Sequence, residues 1–80
     1  MRNQELVERL QTGRVREVTF DDFSALLEER GFRFDRESGE DWIFVHPSMP
    51  GTVGVKAREG KIQAFQALYL LRVLERHGPR

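Results

Sequence analysis

The stretch Gly39 to Val55, GEDWIFVHPSMPGTVGV, decides the fold, because it reads as a β-hairpin set between amphipathic helices. Trp42-Ile43-Phe44-Val45 is an aromatic and β-branched run of strand length. It is closed by His46-Pro47, where proline's fixed φ and missing N–H end a ladder. Ser48-Met49-Pro50-Gly51 supplies turn chemistry, with Pro50 presetting φ and Gly51 free to take the positive φ of a type II turn. Thr52-Val53-Gly54-Val55 then forms the return strand.

Upstream, Arg33-Phe34-Asp35 is extended and Arg36-Glu37-Ser38-Gly39 is a polar turn leading into the hairpin, which makes a three-stranded antiparallel meander. Before it come two helices. Asn3 to Gln11 carries Leu6, Val7 and Leu10 at helical spacing, with Asn3 as N-cap and Gly13 as stop. Thr19 caps a second helix whose apolar face is Phe20, Phe23, Leu26 and Leu27, ended by Gly31 with Phe32 placed for the contact that follows a left-handed cap. After Val55, Lys56 to Lys61 is polar and reads as a loop.

The last helix runs from about Gln63 to His77, with Ala64, Phe65, Leu68, Tyr69, Leu71, Val73 and Leu74 as its core stripe and Gly78-Pro79 as its stop. The order α-α-β-β-β-α predicts an α+β fold, with helices on one face of a three-stranded antiparallel sheet and the other face open to solvent or a partner.

The 80 residues suffice for one domain and include no cysteine, which leaves neither a disulfide framework nor thiolate chemistry and suits the cytoplasm. No apolar run approaches the ~18 residues of a membrane span, and no signal-peptide pattern opens the chain, so a soluble intracellular protein is expected. The formal charge of zero hides an asymmetry. Residues 1 to 50 hold seven Arg against eleven acidic residues (−4), and residues 51 to 80 hold six Lys or Arg against two Glu (+4). Lys56, Arg58 and Lys61 cluster before the last helix, where they could gather phosphates or simply form a solvated loop.

Chemistry-bearing residues are few. His77 reads as a last-turn cation, and His46 as a strand-end residue, structural or phosphate-contacting, or less simply a general base. Glu40 and Asp41 are adjacent in a strand and point to opposite faces, so they form no dyad. Trp42 either packs in the core or stacks on a base from an open sheet face. No pattern for a metal, a phosphate-binding glycine loop or a nucleophile elbow is present, and no cofactor is implied.

Together these residues resemble a known family. Gly39 to Pro47 is similar to the glycine-serine-histidine strand of HicA toxins, small ribonucleases of bacterial toxin-antitoxin pairs with a double-stranded-RNA-binding-like fold, in which the motif continues to His-Pro. Phe23 to Phe34 resembles the family's first core helix and its glycine-phenylalanine exit. Gly60 to Gln66 resembles the Gly-Lys-Ala-Lys-Pro-Tyr-Gln approach to the last helix in one branch, which also carries an extra N-terminal helix like residues 1 to 13.

The resemblance implies a messenger-RNA-directed endoribonuclease with RNA and a cognate antitoxin as partners. It also locates a departure, since the family's serine and catalytic histidine fall on Glu40 and Asp41. An imidazole titrates near neutrality and an aspartate carboxyl roughly 2.5 units lower, which makes the carboxylate a poor base. Loss of such assistance costs about 10² to 10⁴ in rate. The expectation is a HicA-like chain with weak or no ribonuclease activity, with Asp41 at the impaired catalytic position and Trp42, His46, Lys56, Arg58 and Lys61 as RNA contacts. The alternative is a non-catalytic protein-interaction module on the same scaffold.

Overall fold

The computed structural model describes residues 1–77. It has three helices, α1 (Asn3–Gln11), α2 (Phe20–Glu29) and α3 (Ala64–His77). Its strands are β1 (Glu17–Thr19), β2 (Arg33–Ser38), β3 (Asp41–Val45), β4 (Val53–Lys56) and β5 (Lys61–Gln63). Strands β2, β3 and β4 form the three-stranded antiparallel meander, and β1 pairs with β5 in a second, two-stranded antiparallel sheet. The element order is therefore α-β-α-β-β-β-β-α, an α+β fold with two more strands than the sequence announced.

The extra strands correct the reading of Lys56 to Lys61 as a loop. Arg58 and Lys61 exchange backbone hydrogen bonds of 2.8 and 3.1 Å around Glu59-Gly60, whose φ values are 54° and 76°. Positive φ at both central residues marks the tight type I′ turn that matches strand twist. It feeds β5, where Ile62 pairs with Val18 and both are buried. A further bond from Ala64 N–H to Arg16 C=O (2.8 Å) fastens the start of α3 to the segment before β1.

The turn before β3 is also shorter than the sequence suggested. Arg36, Glu37 and Ser38 belong to β2, which leaves Gly39-Glu40 as the connection. The register slips between Phe34 and Arg36, so Phe34 pairs with Phe44 while Arg36 pairs with Ile43. Residues directly opposite share a face, and this bulge brings Arg33 and Arg36 to the same side.

The helices end and begin as their caps dictate. Thr19 accepts the Asp22 N–H at 3.3 Å at the start of α2. At the other end, Gly31 N–H donates to Glu28 C=O and Phe32 N–H to Leu27 C=O, at 2.9 and 3.0 Å. This is a Schellman motif with Gly31 at φ 89° and Phe32 buried behind it. Asn3 does not cap α1; Arg2 holds that position. The Asn3 amide instead donates to Ala25 C=O and the Glu29 carboxylate, at 3.1 and 2.9 Å, and so ties α1 to α2.

The core lies between α2 and one face of the meander. Phe23, Leu26, Leu27 and Phe44 are fully buried, and the Trp42 ring packs edge-on to Phe20 at 5.0 Å and tilted against Phe23 at 6.4 Å. Trp42 is only 4% exposed, so it is a core residue. From α3, Ala67 and Leu71 join this core, whereas Phe65 and Tyr69, expected there from the periodicity, are each 70% exposed. The His77 side chain and the stop expected at Gly78-Pro79 lie outside the described residues.

Two stability effects follow. A Cβ on Gly31 would come within 2.6 Å of His46 Nε2 at a positive φ, so Gly31→Ala is expected to cost about 1 to 3 kcal/mol in urea unfolding. The cost should shrink in a His46→Ala background, where the clash is gone. Trp42→Ala is expected to cost about 3 to 5 kcal/mol. The native indole should emit at short wavelength and resist iodide quenching, whereas long-wavelength, readily quenched emission would contradict its burial.

Candidate functional site

Strand β3 alternates, and the two sides of that alternation have different fates. Trp42 and Phe44 enter the core with Val55, while Ile43 lies outside that cluster. Asp41, Ile43 and Val45 therefore belong to the opposite, open face, where they stand opposite Lys56, Gly54 and, on β2, Arg33. Ile43 is nevertheless only 9% exposed, because Gly54 has no side chain to hold it off; a Cβ there would sit 3.2 Å from Ile43 Cδ1. Ile43 thus lies over Gly54, with Arg33, Arg36, Asp41 and Lys56 on the same face.

Asp41 is half-buried at one end of this face, in register between Ser38 and Lys56. His46 packs elsewhere. Its ring packs edge-on against the buried Phe32 at 4.9 Å, and its Nδ1 accepts the Ser48 N–H at 2.9 Å, bracing the turn after β3. With one nitrogen engaged in the turn and Nε2 against Gly31, His46 is a packing residue on the helix side of the sheet. The structure thus removes both Trp42 and His46 from the set of side chains offered to a ligand by the open face.

Lys56, Arg58 and Lys61 do come together, and all three are exposed. They line a shallow groove of about 280 Å³, but Glu17, Glu40 and Glu59 line it too. Three cations meet three carboxylates there, and Lys56 Nζ lies 3.8 Å from Glu40 Oε2. Pairs this exposed are weak and screened, yet they cancel the field that would draw a phosphate into the groove. Glu40 accepts a second role through its backbone, where its C=O takes the Ala57 N–H at 2.7 Å and extends the β3–β4 ladder.

Arg33 and Arg36 are open-face cations that the sequence does not single out. Arg36 falls in the turn that the sequence predicts, and strict alternation would put it on the side opposite Arg33; the bulge at Asp35 reverses this. Arg36 is ion-paired with its neighbour Asp35. Only the bulge could have revealed the pairing of faces, and Asp35 gives no signal of one.

Among the described residues, no group of three or more His, Asp and Glu could hold a metal ion, and no nucleophile is in hydrogen-bond contact with an imidazole. No helix among them is long and apolar enough to cross a membrane. Comparison with known protein families, curated proteins and solved structures gave no match for the chain.

Proposed function

We propose that this chain is a HicA-like protein of a toxin-antitoxin system, on a double-stranded-RNA-binding-like scaffold, that binds RNA through the open face of the meander and has weak or no ribonuclease activity. The observation that carries the reading is the position of Asp41. It stands on the open face where the resembled family has its histidine, and the nearest imidazole in the chain's sequence, His46, is committed to Phe32 and the Ser48 turn. A ribose hydroxyl at Asp41 would meet a carboxylate and the Lys56 ammonium but no imidazole.

RNA is the partner favoured by Arg33, Arg36 and Lys56, three cations that the strand register brings to the same open face. Three phosphate contacts would give a single-strand salt slope near −2, so affinity should fall roughly 20-fold between 50 and 200 mM salt. A second reading, a pure protein-interaction module that docks an antitoxin, is favoured by the pairing of Lys56 with Glu40 and of Arg36 with Asp35, which leaves little net positive field.

Filter binding to an unstructured RNA separates the two. The RNA reading expects salt-sensitive retention that Arg33→Ala combined with Arg36→Ala weakens at least tenfold, with the slope falling by about 1 to 2; no retention at any salt would favour the protein partner. For catalysis, expression in a bacterial host is expected to leave growth and messenger RNA intact, and Asp41→His to increase cleavage. Growth arrest with full messenger-RNA loss from the unaltered chain would contradict the loss of activity.

A further inference from the structure

Helix α3 leaves one stripe uncovered. Positions along a helix advance about 100° each, which brings Phe65, Tyr69, Arg72 and Arg76 within about 60° of one another. All four are exposed, directly opposite Ala67 and Leu71, which enter the core. Phe65 and Tyr69 are each 70% exposed, an unusual outlay of aromatic surface for a chain whose core must use nearly every large apolar residue. Among the described residues, neither Arg72 nor Arg76 has an ion-pair partner.

The order along the stripe matters more than its composition. The aromatic rings occupy its amino-terminal half and the guanidinium groups its carboxyl-terminal half. We infer that α3 pairs with α3 of a second copy of this chain, antiparallel about a two-fold axis between Leu70 and Leu71, so that each Tyr69 meets Arg72 and each Phe65 meets Arg76 of the other copy. Under that symmetry the spacing from Phe65 to Tyr69 equals the spacing from Arg72 to Arg76, and all four contacts form together as cation–π pairs. A parallel pairing would set ring on ring and cation on cation.

A second copy fits this stripe better than a nucleic acid does. The helix is convex and offers no groove to track a backbone, two arginines are a small electrostatic footprint, and the chain's formal charge of zero puts no net repulsion between copies. One helical stripe buries far less than the ~800 Å² per partner of a stable complex, so the dimer is weak, with Kd on the order of 100 μM.

Sedimentation equilibrium of the full chain, from about 5 μM to about 1 mM without RNA, tests this. The unaltered chain is expected to approach dimer mass at the top of the range. Arg72→Glu with Arg76→Glu should weaken association at least tenfold. Phe65→Glu with Tyr69→Glu should keep it at low salt, because carboxylates would then face the partner's Arg76 and Arg72, and lose it at high salt. Far-UV circular dichroism checks that each variant is folded, with Arg72→Gln and Arg76→Gln replacing any that is not. Monomer at every concentration, association untouched by the arginine changes, or loss at low salt on replacing the rings would each overturn the proposal.

Discussion

The fold depends on one cluster of rings. Phe20 from α2 meets Trp42 at 5.0 Å and Phe34 at 4.9 Å, both edge-on, and Phe23 meets Phe44 at 5.6 Å in the same way. Edge-to-face contacts of this kind add to the burial of large apolar surface. They clamp the first turns of α2 onto the middle of β3, and they decide which side of the meander is interior. Because a strand alternates strictly, burying Trp42 and Phe44 sends Asp41, Ile43 and Val45 outward with no further choice. The face on which Asp41 stands follows from that division.

The consequence for chemistry is a separation of groups that sequence proximity would suggest are partners. Asp41 and His46 lie five positions apart, and His46 has the parity of Trp42, so it continues onto the helix side and settles against Phe32. Its Nδ1 accepts the Ser48 N–H, and its Nε2 edge lies close to Gly31. Glu40 and Lys56 face each other near Asp41, so the one ammonium there stands beside two carboxylates. The open face therefore carries Arg33, Arg36, Asp41 and Lys56 around the Ile43–Gly54 pair, with no imidazole among them.

The long, strongly patterned segments were legible in the sequence: the three helices, the Thr19 cap, the Gly31 stop and the β3–β4 hairpin appear where the residues called for them. Strands β1 and β5 were not, since each has three residues and exists only by pairing with the other across more than forty positions. The type I′ turn that makes β5 possible places Glu59 at positive φ, an unusual conformation for a side chain and one that composition does not announce. Trp42 was ambiguous because core packing and base stacking ask for the same residue; Phe20 resolved it. On α3 the apolar periodicity overstated the buried face, because Phe65 and Tyr69 lie on the side opposite Ala67 and Leu71, which enter the core.

The partition of β3 can be observed directly in solution through short interproton distances. In a nuclear Overhauser spectrum of the labelled protein, the His46 ring protons are expected to show contacts to the Phe32 ring and the Gly31 α protons, and the Trp42 indole to Phe20 and Phe23. The Asp41 β protons should connect to Lys56 and Ser38 instead. Contacts between the His46 ring and Asp41, or a Trp42 indole without aromatic neighbours, would contradict the account, because an imidazole would then share the open face with the carboxylate.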